Sequence, residues 1–463
     1  MISESALQEF RTRLRGQLVS PKDADYDDAR RIHNAMIDRR PAVIVRCAGV
    51  ADVVAAVNFA RQSRLVVAVR GAGHNVAGTS LCDGGIVIDL SRMKSVRVDP
   101  AHRTARVEPG TTWAELSHEL QVFELAATGG YIGTTGVSGL TLGGGLGWMV
   151  RKHGLALDNL LSVDVVTADG RVVTASELES PDLFWGVRGG GGNFGIVTSF
   201  EFKVHPAGVV WAGVVMDPLS RTASALRFWR DHERTASEEL TTGVILLHPP
   251  AELPLPDILH KEGLVGIAGV YCGPLEAGER ALRPLREYGP PAADVFEHMP
   301  YSRAQVMADW IYPAGFQQYW RSGFLTELSD AAIDTIVRLF ATVPSRRSTV
   351  VLEHNGDGAM NRVDESATAF GHRRWPYNLL VTSTWEKPAE AEPNIRWTRD
   401  FMDAMRPFFA DAVYVNYLGE EGDERVRAAY GDKYDRLVAL KNTYDPTNFF
   451  RVNQNIRPSI RTS

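Results

Sequence analysis

The hydrophobic pattern of this chain predicts strands and helices in two arrangements, with a change near Pro206. In the first arrangement, Val50–Ser63 carries apolar residues at helical spacing, and Leu65–Val69 is wholly apolar. Together with a short strand at Arg40–Arg46 they predict a β-α-β unit. Residues 1–36 predict an N-terminal helix and loop. Further strands are predicted at residues 86–90, 95–98, 104–107, 162–170, 171–175 and 196–204, and helices at 112–120 and 181–185.

Residues 207–409 alternate strand-like runs with helical ones. The strands are predicted at 209–215, 242–247, 264–271, 349–354 and 378–384, and the helices at 223–234, 276–286, 330–341 and 394–405. This order favours an antiparallel sheet covered by helices, in an α+β layer arrangement. After residue 412 the pattern predicts a strand over VYVNYLG and helices at 424–430 and 434–444.

Glycine is concentrated between Gly129 and Gly147, where nine of nineteen residues are glycine. Such density is tolerated where backbone takes positive φ or approaches something closely. The apolar residues between them argue against a flexible linker, which would be polar. We therefore expect a buried loop pressed against a flat or phosphorylated ligand. Its companion is the loop Arg70–Asn75 (RGAGHN), which follows an apolar strand and places His74 between Gly73 and Asn75.

Composition and charge narrow the classes of function. The chain has 463 residues, 44% apolar and 23% charged, with a formal net charge of −6. The length favours two packed domains, and the charge gives no sign of nucleic-acid or anionic-membrane binding. Without an 18-residue apolar run or an apolar N-terminal core, we expect a cytoplasmic protein. Cys47, Cys82 and Cys272 fit no zinc or disulfide spacing, so no metal is expected and all three are interpreted as reduced, buried residues.

The motifs also limit how phosphates could be bound. The chain has no strand–GxGxxG–helix unit followed by an acidic residue, and no GxxxxGK[ST] loop. Rossmann-type dinucleotide binding is therefore disfavoured, and phosphates must be held in another way.

Several motifs recur in order along nearly the whole chain. They are VRGAGHN at 69–75, DGGIVIDL at 83–90, GVSGLTLGGGLG at 136–147, GLALDNL at 154–160, LFWGVRGG at 183–190, YVNY at 414–417 and NQNI at 453–456. With these motifs the chain resembles bacterial berberine-bridge-enzyme-like flavoproteins of the p-cresol methylhydroxylase and vanillyl-alcohol oxidase superfamily. The monocovalent members, such as hydroxynicotine oxidases and polyketide-tailoring enzymes, are the most similar.

The resemblance implies a PCMH-type FAD-binding domain of two subdomains at residues 1–206, a substrate domain at 207–409, and a C-terminal module at 410–463 that completes the FAD domain. It implies FAD as the cofactor, attached through His74, where a covalent imidazole would raise the flavin potential. The positions matched to flavin contacts are Arg70, Gly71, Ala72, Gly73, Asn75, Gly78, Leu90, Thr135, Gly136, Gly139, Leu142, Gly147, Asn159, Val197, Asn453 and Asn455.

Two positions depart from the family pattern. Ile132 stands where many members carry a cysteine that forms a second flavin tether, so a single attachment is expected. Thr135 stands where valine usually accompanies oxidase behaviour. It is either an isosteric filler or a sign of an altered oxygen reaction.

Two residues are candidates for the catalytic base, Tyr417 and Glu353. The resemblance places Tyr417 over the flavin, but a phenol with a pKa near 10 needs stabilisation to act as a base at neutral pH. Strand alternation places Glu353 and Asn355 on one face and His354 on the other. Tyr417 could equally be a packing residue and Glu353 a paired structural acid. Tyr319, Trp320 and Asn355 are candidates for the substrate wall.

Three functions are weighed. The favoured one is an FAD-linked oxidase that takes hydride from a small alcohol or amine and passes electrons to O₂, giving H₂O₂. The second is an oxygenating, monooxygenase-like flavoenzyme that tailors a secondary metabolite such as a polyketide, which Ile132 and Thr135 motivate. The third is a flavin carrier without turnover, against which Tyr417 and Glu353 argue.

Overall fold

The computed structural model describes residues 2–459, which form α-helices and four β-sheets. The strands are β1 (Gln17–Val19), β2 (Val43–Arg46), β3 (Val67–Arg70), β4 (Ile86–Asp89), β5 (Val96–Asp99), β6 (Thr104–Val107), β7 (Leu125–Ala126), β8 (Leu160–Val166), β9 (Val172–Ser176), β10 (Ile196–Lys203), β11 (His205–Pro206), β12 (Val209–Pro218), β13 (Leu240–Leu247), β14 (Leu264–Tyr271), β15 (Ala293–Asp294), β16 (Glu297–Pro300), β17 (Gln317–Leu325), β18 (Thr349–His354) and β19 (Tyr377–Trp385). The α-helices are α1 (Glu4–Thr12), α2 (Tyr26–Ala29), α3 (Val50–Gln62), α4 (Trp113–Gln121), α5 (Val137–Gly143), α6 (Val150–His153), α7 (Pro181–Val187), α8 (Thr222–Glu233), α9 (Asp257–Glu262), α10 (Leu275–Glu287), α11 (Tyr301–Ala304), α12 (Asp330–Phe340), α13 (Ala359–Arg362), α14 (Ala391–Met405), α15 (Asp423–Tyr430) and α16 (Tyr434–Tyr444).

The N-terminal part of the fold contains two main sheets. One has the order β1-β2-β4-β3, in which β2 and β3 both pair parallel with β4. Helix α3 connects β2 to β3, as the predicted β-α-β unit requires. The second sheet is antiparallel, with the order β5-β6-β10-β8-β9.

The middle region is an antiparallel sheet with a layer of helices on one face, so the predicted α+β class is confirmed. Its strand order is β15-β12-β14-β13-β18-β19-β17, with β16 also pairing with β12. Helices α8, α10, α12 and α14 pack against it through a core that includes Trp229, Ile333 and Phe401. The other face of the sheet is turned toward a large cavity, and this face carries the candidate site.

Residues from the C-terminal segment enter the core of the N-terminal part. Val413, Leu418, Leu437 and Ile456 belong to the same apolar cluster as residues of α4, β8 and β10. The buried ammonium of Lys441 also donates to the Asn193 carbonyl oxygen at 2.7 Å and pairs with Asp445 at 2.7 Å. These contacts support the proposal that residues 410–463 complete the FAD domain, while the boundaries at 206 and 409 stay predictions.

Two local predictions were wrong, and several strands were missed. The glycine-rich stretch is not loop throughout, because Val137–Gly143 forms helix α5. VYVNYLG is not a strand, and Val415–Tyr417 forms a 3₁₀ turn. Strands β1 and β17 were missed. Strand β17 was missed because its sequence, QQYWRSGFL, lacks both an apolar run and simple alternation.

Close backbone packing explains part of the glycine density. A Cβ at Gly147 would lie 1.5 Å from the carbonyl oxygen of Gly129, so no other residue fits there. Gly145 has φ +102°, and its Cβ would lie 2.3 Å from that of Ala156. The two ends of the stretch are therefore pressed against each other and against the next segment.

Candidate active site

Most of the cofactor and substrate residues predicted from the sequence line one cavity of about 900 Å³. The loops after β3 and around α5 form one part of its wall, and strands β12, β13, β18 and β17 form another. The C-terminal segment adds Tyr414–Tyr417 and Val452–Gln454. A cavity of this volume is at the upper end of the range for small-molecule and cofactor sites.

The loop Gly71–Asn75 carries an unusual run of backbone donors. None of its five N–H groups donates to an acceptor among residues 2–459. Backbone donors are normally paired with protein or with water, so a run without protein partners at a cavity wall is available to a ligand acceptor. Successive N–H groups of this kind suit a phosphate. This loop is therefore a candidate for holding phosphates without a Rossmann or P-loop motif.

Other groups at the cavity wall also suit a large polar and aromatic ligand. Cβ atoms at Gly139, Gly191 and Gly192 would meet no atom within 4 Å, so these backbones leave open space. Several buried polar atoms of the wall have no hydrogen-bond partner in the described part of the chain. They are Ser80 Oγ, Tyr131 Oη, Trp148 Nε1, Trp320 Nε1 and Asn453 Oδ1. Because buried polar groups are normally paired, the site fits FAD.

His74 lies on this wall and is held by neighbouring polar groups. Its Nε2 is 3.0 Å from Thr134 Oγ1, and its Nδ1 is 3.4 Å from Thr135 Oγ1. The ring stacks on His33 with 4.0 Å between centroids. Burial, with a smaller contribution from His33, lowers the pKa of His74 to about 3. The imidazole is therefore neutral at pH 7 and retains a lone pair.

Glu353 and Tyr417 meet at the cavity although 64 residues separate them. The Tyr417 hydroxyl donates to Glu353 Oε1 at 2.8 Å, and Asn378 Nδ2 donates to Oε2 at 2.7 Å. Burial raises the pKa of Glu353 to about 7, although both hydrogen bonds act to lower it. Burial and the nearby Glu353 carboxylate raise the pKa of Tyr417 well above 10.

Strand alternation separates Glu353 from His354. Glu353 points into the cavity, whereas His354 Nδ1 lies 2.8 Å from Glu233 Oε2 on helix α8. Burial is the largest influence on the Glu233 pKa and raises it, but His354, Arg151 and Thr242 together lower it below its usual value. Glu233 is thus a paired structural acid, while Glu353 has hydrogen-bond donors but no cation beside it.

Aromatic side chains surround the carboxylate. Trp320 and Tyr414 pack against the Tyr417 ring, with centroids 6.2 Å and 4.9 Å away. The Tyr414 hydroxyl accepts from the Gly145 N–H at 2.8 Å, which joins the C-terminal segment to the glycine-rich stretch. Tyr131 packs edge-on against Trp148 at 4.8 Å.

The cavity brings together most of the residues predicted to contact cofactor or substrate. Its lining includes Gly71, Ala72, Gly73, His74, Asn75, Leu90, Thr135, Gly136, Gly139, Leu142, Val197, Asn453, Trp320, Glu353 and Tyr417. Their individual roles stay predictions.

The remaining predicted residues lie outside the lining, and we leave them out of the proposed contacts. Arg70 is buried in an ion pair with Asp89. The Asn159 amide donates to the carbonyl oxygens of His153 and Leu155, and its Oδ1 is 2.7 Å from His205 Nε2. Tyr319 lies on the helix-layer face and accepts from Arg399 at 3.2 Å. Gly78, Gly147, Asn355 and Asn455 also lie outside the lining.

The sequence reasoning missed Tyr131, Tyr414 and Gly191–Gly192. Gly191 and Gly192 stand in a second glycine-rich loop, RGGGGNFG at residues 188–195, so composition alone could have indicated them. Tyr131 lies within the first glycine stretch, and Tyr414 shares the YVNY motif with Tyr417. No group of side chains in residues 2–459 could hold a metal ion, and all three cysteines are free and buried. No helix in this range is long and apolar enough to span a membrane.

Comparison with known proteins identifies the family. Residues 41–176 match the FAD-binding domain model, and residues 413–457 match the model for berberine and berberine-like proteins. The chain is 31% identical over 427 residues to an FAD-linked oxidoreductase of Dictyostelium discoideum, covering 92% of this chain and 90% of that one. It is 30% identical over 465 residues to the (R)-6-hydroxynicotine oxidase of Paenarthrobacter nicotinovorans, covering 96% and 97%.

A solved structure agrees with this result. The crystal structure of 6-hydroxy-D-nicotine oxidase from Arthrobacter nicotinovorans superposes with a TM-score of 0.87 at 28% identity, covering 96% of this chain and 98% of that chain. The chain belongs to the berberine-bridge-enzyme-like family of FAD-linked oxidoreductases. It is therefore an enzyme that uses FAD, as the sequence predicted, and the carrier hypothesis is set aside. Its bacterial origin and cytoplasmic location stay predictions.

Proposed function

We propose that this enzyme is an oxidase that removes a hydride equivalent and a proton from a small alcohol or amine, with Glu353 as the proton acceptor. FAD, when bound, supplies the chemistry: it accepts the equivalent of a hydride and can pass the electrons to O₂, giving H₂O₂. The observation that carries the proposal is the pair formed by the buried Glu353 and the partly buried Tyr417 in the same cavity as His74.

The acid–base chemistry favours Glu353 over Tyr417. With a pKa of about 7, Glu353 is substantially ionised at neutral pH and can accept a proton from a substrate O–H or N–H. Tyr417 keeps its proton because its pKa lies well above 10. Its hydroxyl, together with Asn378, orients the carboxylate by donating one hydrogen bond to each oxygen. Tyr417 therefore serves as a hydrogen-bond donor at the site.

We propose that the flavin is attached through His74 alone. The neutral imidazole lies on the cavity wall, and the only other side chain that the family uses as a tether, a cysteine, is replaced by Ile132, which also lines the cavity. Acid precipitation tests this attachment. Flavin should remain with the precipitated wild-type protein, and it should appear in the supernatant for His74→Ala. His33→Phe, which keeps a ring beside His74, is the matched control and should retain the flavin.

Peroxide stoichiometry tests the oxidase assignment against the oxygenating alternative. The screen would use amines and alcohols, beginning with 6-hydroxynicotine because of the relative that oxidises it. Anaerobic substrate should bleach the flavin, and air should restore its colour with one H₂O₂ per product. Less than stoichiometric peroxide, with oxygen from O₂ in the product, would instead establish the oxygenase.

A further inference from the structure

We infer that the substrate is an amphiphile, with its reactive O–H or N–H group at Glu353 and an apolar body that lies along the uncovered face of the large sheet. This inference rests on the proposed function, because it places the reacting end of the substrate beside Glu353. The inference extends the proposed function by naming the class of molecule that the cavity binds. We call the surface concerned the apolar arm, formed by Val214, Met216, Gly243, Ile245, Ala268, Val351 and Leu380.

The register of the sheet places the apolar arm directly beside the carboxylate. Glu353 on β18 is paired with Gly243 on β13, which is paired with Ala268 on β14 and through it with Val214 on β12. Residues two positions apart on a strand share a face. The next row on the same face is therefore Val351, Ile245, Gly266 and Met216. On β18, β13, β14 and β12 both rows lack a polar side chain apart from Glu353. On β19 the first row continues with Asn378, which donates to Glu353 Oε2.

Gly243 leaves space where any other residue would narrow the cavity. A Cβ built on Gly243 meets only the Leu352 carbonyl oxygen, at 3.2 Å, and is otherwise open toward the cavity. Ala268, the next residue in the row, is also small. The sheet thus has a shallow channel that begins at the Glu353 carboxylate and continues toward β12.

Apolar residues from other segments of the lining face the apolar arm across the cavity. They are Leu253, Leu255, Val306, Met307 and Ile311, with Trp310 at 44% exposure near the surface. The ionisable lining residues of the described chain, tyrosines aside, are His74, Glu353 and the mutually paired Glu297 and Arg303. A polyhydroxylated substrate would lose its hydrogen bonds to water here without replacement, whereas an alkyl or aryl chain gains by burial.

A series of n-alkylamines from propylamine to octylamine tests the inference on the holoenzyme. The dissociation constants are measured under anaerobic conditions from perturbation of the visible spectrum of the oxidised flavin. We expect each constant to fall about fourfold for every added methylene until the apolar arm is filled. Less than a 1.5-fold change per methylene across the whole series, or no binding by any member, would overturn the inference.

Variants locate the effect in the apolar arm. Gly243→Leu should abolish the gain in affinity with chain length, because its side chain would fill the channel beside Glu353. Gly243→Ala and Ile245→Ser, which change less volume, should each reduce the gain, so the test survives if Gly243→Leu fails to fold. Val209→Ser is the control, because Val209 lies on the same strand as Val214 but is 48% exposed. This variant should keep the wild-type gain in affinity with chain length. If the gain in affinity with chain length persists unchanged in Gly243→Ala and Ile245→Ser, the alkyl chain binds elsewhere and the inference is refuted.

The same measurements separate this inference from the proposed function. If chain length has no effect but substrates still bleach the flavin, the apolar arm is wrong and the oxidase proposal stands. If chain length acts as expected but no amine or alcohol ever bleaches the flavin, the apolar arm stands and the proposed reaction is wrong.

Discussion

Replacing Glu353 by glutamine should change how the stability of the protein depends on pH. Burial, without a neighbouring cation, raises the pKa of this carboxyl from 4.5 to about 7. The folded protein therefore holds a proton on Glu353 that the unfolded chain has released between these two values. Its contribution to stability is full below pH 4.5 and is lost as the pH rises through 7. The shift corresponds to roughly 3 kcal/mol, at about 1.4 kcal/mol per pKa unit.

The assay is thermal unfolding of the FAD-loaded wild type and Glu353→Gln between pH 5 and pH 8. Glutamine keeps the shape of the protonated side chain but cannot ionise. The thermal stability of the variant should therefore increase relative to that of the wild type as the pH rises. For a chain of this length the relative gain corresponds to about 3 °C in Tm. Glu297→Gln, an exposed glutamate at the same cavity, should follow wild type throughout. Parallel curves for wild type and Glu353→Gln would refute the raised pKa.

Three further results are expected. Tyr417→Phe should move the lower limb of the pH profile of flavin reduction to higher pH, because it removes a hydrogen bond that lowers the Glu353 pKa; an unchanged limb would contradict the contact. Gly139→Leu should lower the FAD content of the purified protein by filling open space at the cavity, whereas Leu178→Ala, at a fully exposed side chain, should leave the FAD content unchanged. Lys441→Met should destabilise the protein by about 3–5 kcal/mol, because it leaves the Asp445 carboxylate buried without its cation; a change below 1 kcal/mol in denaturant unfolding would contradict this.

Periodicity located most of the regular elements because their burial is regular. Strands β14 and β18 and helix α16 have the bounds that the pattern predicted. The pattern failed where burial is irregular. Helix α5 contains Gly139 and Gly143, whose low helical propensity hid it, although packing against the 3₁₀ turn at 415–417 holds it in place. Strand β17 was hidden by its polar residues.

Most of the site residues that the sequence predicted line the cavity, but sequence reasoning could not choose between Tyr417 and Glu353 as the base. Alternation along β18 correctly separated Glu353, which lines the cavity, from His354, which lies beside Glu233. Asn355, expected on the same face as Glu353, lies beyond the end of β18 and outside the lining. The hydrogen bond from Tyr417 to Glu353 joins the large antiparallel sheet to the C-terminal segment. No local sequence pattern could indicate this contact. The choice of base depends on the surroundings of this pair. Burial raises the pKa of both groups, and only Glu353, with a pKa of about 7, can ionise near neutral pH.

The role of Glu353 as proton acceptor is tested most directly by the rate of anaerobic flavin reduction, measured in a stopped-flow instrument from pH 5.5 to pH 8.5 with one substrate. The wild-type rate should rise about tenfold between pH 6 and pH 8 and then level off, as a group with a pKa of about 7 ionises. Glu353→Gln should be slower by a factor of about 10² to 10⁴ and should lose this rise. A Glu353→Gln enzyme that reduces its flavin within threefold of the wild-type rate, with the same pH profile, would contradict the account.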